Sequence, residues 1–189
     1  MRSIGEVIIE LDSELDALGM AHAFGGALAL AYYAEPRGTV DVDINVGVPY
    51  ESRSTLLDHL ATNGWHADES AADAPPVAGT RVRQPGETVV IDLFFSFDDF
   101  HQNVLARSAV KPFVHGGTRY ELPFLSADDL IVFKISLGRP KDWVDIEAMI
   151  AAGTTIDPDY VERALVEFKG RVAYRGAARL RAMLRGRTE

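Results

Sequence analysis

The sequence lacks cysteine and any long apolar stretch. Without cysteine, the chain has no disulfide bond, no zinc site built on thiolates and no cysteine nucleophile. No apolar run approaches the roughly 20 residues that span a bilayer. The beginning of the chain, with one early arginine followed by acidic residues, does not resemble a signal peptide. We therefore expect a cytoplasmic protein that does not associate with membranes.

Common catalytic motifs are missing as well. The sequence contains neither the Walker loop of P-loop ATPases nor the Gly-x-Ser-x-Gly turn of serine hydrolases. Its five histidines show no spacing that is typical of metal ligands. These absences disfavour an ATPase, a serine hydrolase and a metal site built on histidine.

The composition is that of a folded protein with an uneven charge distribution. Apolar residues make up 47% of the 189 residues, and the net charge is −9. Residues 163–189 carry eight basic and two acidic side chains, a net charge of +6, whereas residues 1–162 carry 11 basic and 26 acidic side chains, a net charge of −15. The basic segment indicates binding to a polyanion or an acidic protein, although a solvated helix face accounts for it equally well.

The pattern of apolar residues predicts an α+β protein. Strict alternation predicts a strand over residues 40–46, and two hairpins surround turns at residues 85–86 and 116–117. Helical patterns precede and follow these strands. We predict a small mixed β-sheet flanked by helices over residues 1–125, with a helical C-terminal portion over residues 126–189 packed on it.

Three carboxylates occupy two of the predicted strands. Asp41 and Asp43 are two residues apart, so both side chains leave one face of their strand. Asp92 lies in the apolar run Val89–Phe95, where a buried acid needs a partner. If the two strands are neighbours, the carboxylates converge into a cluster that selects Mg²⁺ or Mn²⁺. Two such ions bridge the attacking and leaving oxygens in phosphoryl transfer.

The first pair of acids has two other interpretations, a strand edge and a calcium-binding loop. Asp41 and Asp43 fit a solvent-facing strand edge, because any amphipathic strand alternates polar and apolar residues. A calcium-binding loop that begins at Asp41 is excluded, since its sixth position is Val46 instead of glycine and its twelfth is Ser52 instead of glutamate. The apolar neighbours of Asp92 favour the metal cluster.

Three segments together resemble the signature of the DNA polymerase β-like nucleotidyltransferase superfamily. These segments are Phe24-Gly25-Gly26, Asp41-Val42-Asp43-Ile44 and Ile91-Asp92-Leu93. The resemblance covers roughly residues 20–150 and implies a nucleotidyltransferase core over residues 1–125. Taken alone, the Gly-Gly pair also fits a plain tight turn.

Further residues are similar to one branch of this superfamily, the AbiEii/MenT-type toxin nucleotidyltransferases. That branch carries an Arg-x-Thr/Ser-x-Asp-x-Asp run, a later lysine with an arginine nearby, and an Arg/Lys-Asp-x-x-Asp helix. The matching residues here are Arg37-Gly38-Thr39-Val40-Asp41-Val42-Asp43, then Lys134, Arg139 and Lys141-Asp142-Trp143-Val144-Asp145.

The resemblance implies a role for each matching residue. Asp41, Asp43 and Asp92 would hold Mg²⁺ or Mn²⁺, and Asp92 would also help to deprotonate the acceptor hydroxyl. Lys134 would neutralise charge on the departing pyrophosphate, and Asp142 would orient Lys134 or the acceptor. The residues expected to contact the nucleotide are Gly25, Gly26, Arg37, Thr39 and Arg139.

Simpler roles remain open for some of these residues. Lys134 also fits an exposed helix lysine, and Arg139 and Asp142 also fit helix caps. Asp145, one turn beyond Asp142, is expected to be structural or to support the site indirectly. Phosphorylation of Thr39 would add negative charge beside the metal cluster and should block binding of a nucleoside triphosphate.

The implied function is the transfer of a nucleoside monophosphate from a nucleoside triphosphate to RNA, at the 3′ end of tRNA. Such an enzyme would be the toxin of a toxin–antitoxin pair and would have a cognate antitoxin as its partner. Arg171, Arg175 and Arg179 recur every four residues on one helix face and are expected to bind RNA phosphates. The alternatives are transfer to a protein side chain, as in antitoxin-like members, and a non-catalytic binding module with a degenerate site.

Overall fold

The computed structural model describes residues 1–68 and 79–186, apart from the side chains of Arg171 and Val172. Its strands are β1 (His22–Phe24), β2 (Asp41–Pro49), β3 (His66–Ala67), β4 (Thr80–Arg83), β5 (Val90–Ser96), β6 (Ala109–His115) and β7 (Thr118–Phe124). Its α-helices are α1 (Ile4–Ala17), α2 (Gly26–Leu30), α3 (Arg53–Thr62), α4 (Asp99–Ala106), α5 (Ala127–Leu137), α6 (Pro140–Ala151), α7 (Pro158–Lys169) and α8 (Tyr174–Arg185). Short 3₁₀ turns precede α3 and α8.

The described strands form one mixed sheet in the order β3-β4-β5-β2-β1-β7-β6. Strand β2 runs parallel to β5 and antiparallel to β1, and β4 pairs antiparallel with β5. Val42 and Ile44 are fully buried on one face of β2, whereas Asp41 and Asp43 alternate with them on the other face. The alternation that predicted the strand therefore also separates the hydrophobic core from a polar face.

The junction between α5 and α6 is set by local sequence signals. Helix α5 begins after Ser126, whose hydroxyl accepts a hydrogen bond from the backbone N–H of Asp129. It ends at Gly138, which has a φ of +63° that favours glycine. Pro140 then opens α6, because the first position of a helix needs no N–H donor. The sharp reversal brings the polar side chains of the two helices together.

The helical C-terminal portion packs on the rest of the molecule. Leu165 of α7 and Leu180 of α8 are fully buried and belong to the same hydrophobic core as the strands of the sheet. The predicted α+β architecture, a small mixed sheet flanked by helices, is confirmed. The boundary between residues 125 and 126 stays a prediction. Among the residues that the structure describes, no helix has the length and apolar character needed to cross a membrane.

Candidate active site

The three predicted carboxylates lie on the same face of two adjacent strands. Asp43 of β2 stands directly opposite Asp92 of β5, and Asp41 stands opposite Val90. Because alternate residues of a strand share a face, Asp41, Asp43 and Asp92 all line one pocket. This pocket has an empty volume of about 910 Å³ when the open solvent at its mouth is included. We call these three carboxylates the acidic wall.

Asp43 is the most strongly perturbed carboxylate of the acidic wall. Burial, together with the nearby charges of Asp92 and Asp41, raises its pKa to about 6. No hydrogen bond or ion pair joins its carboxylate to another side chain in the described part of the chain. A buried carboxylate next to two others, without a cation of its own, is the kind of group that a divalent cation stabilises.

Asp92, in contrast, already has a cationic partner that sequence reasoning missed. The guanidinium of Arg81 on β4 donates from Nε and Nη2 to the two carboxylate oxygens of Asp92, at 2.7 Å and 2.6 Å. Within the described residues there is no group of three or more acidic or histidine side chains arranged to hold a metal ion. The predicted role of Asp92 as a third metal ligand stays a prediction, and in this structure Arg81 already engages both of its carboxylate oxygens. Asp41 and Asp43 still fit a divalent cation through their oxygen donors.

Gly26 makes room for the carboxylate of Asp43. It has a φ of +54°, and a Cβ atom at this position would lie 1.8 Å from Oδ2 of Asp43. The preceding Gly25 donates its backbone N–H to the carbonyl oxygen of Asp43 at 2.8 Å. Gly26 lines the pocket, whereas the N–H of Gly25, predicted to contact phosphate, is used inside the protein. The glycine pair thus holds β1 and α2 close to the acidic wall.

Thr39 lines the pocket, but its hydroxyl is engaged with backbone. Its Oγ1 donates to the carbonyl oxygen of Asp41 and accepts from the N–H of the same residue, both at 3.1 Å. This local turn fixes the start of β2. The nucleotide contact predicted for Thr39 stays a prediction.

Three further cations line the same pocket, and we call Arg37, Lys134 and Arg139 the basic wall. Lys134 is only 5% exposed and donates to Oδ2 of Asp145 at 2.6 Å. Arg37 donates to both oxygens of the same Asp145, at 3.0 Å and 3.1 Å. Burial alone would raise the pKa of Asp145, but the hydrogen bonds from Arg37 and Lys134 outweigh it and lower that pKa. Asp145 is therefore the residue that organises this wall.

This pairing contradicts one of the two roles predicted for Asp142, the orientation of Lys134, whereas orientation of the acceptor stays a prediction. Asp142 does not contact Lys134; its carboxylate accepts from the side chain and the backbone N–H of Arg139, as in a cap at the start of α6. The capping role for Arg139 and Asp142 therefore fits the geometry. The interpretation of Lys134 as an exposed helix lysine is wrong, because the side chain is buried in an ion pair.

Beyond the charged walls, the pocket has an aromatic end that sequence reasoning also missed. Phe94, Phe133, Phe168 and His101 line it. Nδ1 of His101 lies 2.8 Å from Oδ1 of Asp98; burial lowers the pKa of this histidine, and Asp98 opposes that shift. The Asp-x-x-His spacing at the start of α4 was the only sequence signal for this pair. The aromatic rings are separated in sequence and gave no signal.

Asn45 lies next to this aromatic end and has an unsatisfied amide. It shares a face of β2 with Asp43 and is 5% exposed. Its Oδ1 is buried without a hydrogen-bond partner among the described residues. Asn45 and the aromatic end lie in the same pocket as the charged walls.

The predicted RNA-binding arginines are partly described. Arg175 and Arg179 are exposed on α8, whereas the side chain of Arg171 lies outside the described residues. The guanidinium of Arg179 lies over the ring of Trp143, 4.0 Å from the ring centroid. Trp143 follows Lys141 and Asp142, which line the pocket. The contact between Arg179 and Trp143 thus joins α8 to the first turn of α6.

Several solved structures are similar to this chain, among them a nucleotidyltransferase-like protein and an adenylyltransferase. The antibiotic-resistance factor ANT(2'')-Ia has a TM-score of 0.59 and 19% identity, over 90% of this chain and 93% of that chain. An antigenic nucleotidyltransferase-like protein from Paracoccidioides brasiliensis has a TM-score of 0.52 and 18% identity, over 93% and 92%. The lincosamide antibiotic adenylyltransferase LnuA, bound to lincomycin, has a TM-score of 0.52 and 13% identity, over 79% and 98%. The fold is that of nucleotidyltransferases.

Comparisons of the sequence itself give no relative. No family model matches it, and no curated protein matches it. At identities below 20% the structural likeness establishes the nucleotidyltransferase fold alone. The AbiEii/MenT-type branch therefore stays a prediction, and the chemistry must be argued from the pocket.

Proposed function

We propose that this protein is a nucleotidyltransferase that moves a nucleoside monophosphate from a nucleoside triphosphate to an acceptor hydroxyl and releases pyrophosphate. The observation that carries this proposal is that the acidic wall and the basic wall line one pocket. Phosphoryl transfer needs both, since the triphosphate is anionic and its reacting phosphorus must be approached by another oxygen. The nucleotidyltransferase fold supports the same reaction class.

A divalent cation, Mg²⁺ or Mn²⁺, is part of the proposal. Asp41 and Asp43 would hold it, because they offer hard oxygen ligands and the Asp43 carboxylate makes no hydrogen bond or ion pair with a side chain in the described part of the chain. When bound, such a cation offsets the negative charge of the phosphate oxygens. Gly26 supports this assignment, because a side chain at this position would clash with the Asp43 carboxylate and displace it from the pocket.

The basic wall would bind the triphosphate and stabilise the leaving group. The acceptor oxygen forms a new bond to the α-phosphorus while the bond to the bridging oxygen of pyrophosphate breaks. Lys134, fixed by Asp145, would donate a hydrogen bond to the departing pyrophosphate. Arg37 and Arg139 would contact the outer phosphates, because their side chains line the pocket and are 42% and 49% exposed.

We propose RNA, at the 3′ end of tRNA, as the acceptor, and a toxin restrained by a cognate antitoxin as the biological role. The exposed Arg175 and Arg179 on the positively charged C-terminal segment support an RNA acceptor, since regularly spaced cations bind phosphates. A small hydroxylated molecule is a second candidate acceptor. The aromatic end of the pocket favours it, and ANT(2'')-Ia and LnuA are named for antibiotics.

The test is a transfer assay with each α-³²P-labelled nucleoside triphosphate, Mg²⁺ and one acceptor class at a time. Total tRNA, lysate proteins and a panel of hydroxylated small molecules are the three classes, and Asp41→Ala is the inactive control. Label on tRNA with release of pyrophosphate is expected. Label on protein would support the antitoxin-like alternative, and nucleotide binding without any transfer would support a degenerate binding module.

The RNA surface and the toxin role have their own tests. Arg175→Ala combined with Arg179→Ala should weaken tRNA binding and reduce its salt dependence by about two released counterions. Arg119→Ala, which removes an exposed cation from β7, is the matched control. Unchanged tRNA affinity in the double variant would reject this surface. Growth inhibition on expression, relieved by Asp41→Ala, would support the toxin role.

A further inference from the structure

Arg81 is placed by the sheet so that it meets the acidic wall. In the antiparallel register of β4 and β5, Arg81 lies directly opposite Asp92. Nε and Nη2 of its guanidinium reach both oxygens of that carboxylate, at 2.7 Å and 2.6 Å. Nη2 is also 3.9 Å from Oδ1 of Asp41. A planar guanidinium held at two points by a carboxylate is the most geometrically specific ion pair available to side chains.

The other two carboxylates of the acidic wall, those of Asp41 and Asp43, have no such hydrogen bonds to a guanidinium. Asp43 has no hydrogen-bond or ion-pair partner among the described residues, and Asp41 touches Arg81 only at the long distance just given. The acidic wall therefore divides into one carboxylate that a guanidinium holds through two hydrogen bonds and two that accept no hydrogen bond from a described cation.

The formal charges fit one divalent ion. Three ionised carboxylates and one guanidinium leave a net charge of −2, which a single divalent cation balances. Two divalent cations would need the oxygens of Asp92, and they would place a second doubly charged ion beside a guanidinium that is already bound there. At such short range, repulsion between like charges in a partly buried site is strong.

We propose that Arg81 takes the place of one of the two cations that were predicted from the sequence, so that the centre binds a single divalent ion on Asp41 and Asp43. Asp92 is then a positioning residue that holds Arg81, and it is not a metal ligand. Nη1 of Arg81 makes no hydrogen bond with a described residue, and Arg81 lines the pocket. That free N–H group can donate to a phosphate oxygen, which a metal ion cannot do. The inference rests on the proposed function for the identity of the bound phosphate.

The experiment counts Mn²⁺ ions bound to the full chain by electron paramagnetic resonance, without nucleotide. We expect one Mn²⁺ per chain in the wild-type protein and in Asp92→Asn, and no bound Mn²⁺ in Asp43→Asn. Arg81→Lys should still bind one, because it keeps a positive charge. Arg81→Met should bind two, because it frees the oxygens of Asp92.

Arg83→Met is the matched control, since Arg83 lies on the same strand but pairs with Asp68 and is 51% exposed. It should bind one Mn²⁺ and unfold at the same temperature as the wild type. Thermal unfolding of every variant shows whether a changed count reflects a folded protein. If Arg81→Met does not fold, the numbers of Mn²⁺ ions bound by the wild type and by Asp92→Asn still test the proposal.

Two Mn²⁺ ions in the wild type, no bound Mn²⁺ in the wild type, or loss of the ion in Asp92→Asn would each overturn the proposal. A transfer assay on the same preparation separates this result from the proposed function. Transfer with two bound ions would reject only the role of Arg81, whereas one bound ion without transfer would reject only the reaction.

Discussion

The acidic and basic walls of the pocket are built in different ways. The acidic wall stands on β2 and β5, where strand register fixes Asp43 opposite Asp92. The basic wall depends on helix side chains and a loop, and two carboxylates of α6 hold its cations. Register between strands is set by many backbone hydrogen bonds, whereas the basic wall depends on a few ion pairs. Backbone hydrogen bonds therefore fix the positions of the carboxylates in the acidic wall, whereas ion pairs fix the positions of the cations in the basic wall.

The two walls also differ in how much of their charge is already balanced. Arg81 is the only cation within ion-pairing distance of the acidic wall in the described part of the chain. On the basic wall, Asp145 and Asp142 engage all three cations. The acidic wall is thus prepared for an added cation, and the basic wall is a nearly neutral, rigid surface that still presents N–H donors to an anion.

The comparison is tested most directly by Asp43→Asn. We expect transfer to fall by about 10³-fold, because the variant removes a carboxylate that would hold the divalent cation and leaves the packing unchanged. Steady-state kinetics with the nucleoside triphosphate measure this loss. Activity within tenfold of the wild type would mean that the acidic wall is not the catalytic side of the pocket.

Asp43→Asn should lower activity but raise the free energy of unfolding. Burial and the neighbouring carboxylates raise the pKa of Asp43 from 3.8 to about 6, so the folded chain binds this proton more tightly than the unfolded chain does. The stability that Asp43 contributes is greatest below pH 3.8 and is lost as the pH rises through 6. In EDTA at pH 8, Asp43→Asn should therefore be more stable by about 1–3 kcal/mol. Equal unfolding curves at pH 5 and pH 8 in the wild type and the variant would contradict this.

On the basic wall, the two carboxylates of α6 should differ in their effect on stability. Asp145→Asn leaves the ammonium of Lys134, which is 5% exposed, without a carboxylate and should cost about 3–5 kcal/mol. Asp142→Asn leaves Arg139, which is 49% exposed and can be solvated, and should cost about 1 kcal/mol. Urea unfolding of the pair measures the difference. Equal losses would mean that Asp145 does not organise this wall.

Gly26 provides a geometric test of the acidic wall. Gly26→Ala places a methyl group on the Asp43 carboxylate at a positive φ, and we expect activity to fall by at least tenfold. Gly38→Ala is the matched control, because a Cβ there meets no heavy atom within 4 Å and its φ is not positive. Crystal structures of both variants would show whether Asp43 has moved. Full activity of Gly26→Ala would reject the close fit.

The smallest effect is expected at Thr39. Its hydroxyl bonds only to the backbone of Asp41 among the described residues, so Thr39→Val should lower activity by a few-fold through a looser start of β2. Thr39→Glu should block binding of the nucleoside triphosphate, as predicted for a phosphorylated threonine. Equilibrium binding of a labelled nucleotide distinguishes the two variants. Wild-type binding by Thr39→Glu would reject Thr39 as a regulatory position.

Much of the fold and part of the site follow from local patterns in the sequence. Alternation around Asp41 and Asp43 predicted a strand with both carboxylates on one face, and the structure has this strand. The partner of Asp92 was missed. Counting outward from the Pro85-Gly86 turn would pair Arg81 with Val90, whereas the observed register pairs Arg81 with Asp92. This contact therefore depends on the actual length of the loop, which the sequence pattern did not give.

Other contacts gave no such signal. Arg37 and Asp145 are 108 residues apart, and the choice of Asp145 over Asp142 as the partner of Lys134 depends on how α6 packs against α5. Both acids lie in the first two turns of the same helix and match the same motif. They differ only in the direction in which their side chains leave the helix axis. Which of them faces Lys134 is decided by the way α5 packs against α6.

The sequence by itself determined the class of architecture, the face on which Asp41 and Asp43 lie, and the glycine beside them, because these depend on periods of two to four residues and on backbone conformation. The tertiary structure decided which charges are balanced: Arg81 on Asp92, Lys134 and Arg37 on Asp145, and no side chain among those described on Asp43. Ion pairs between distant residues depend on register and packing, which form only when the chain is folded.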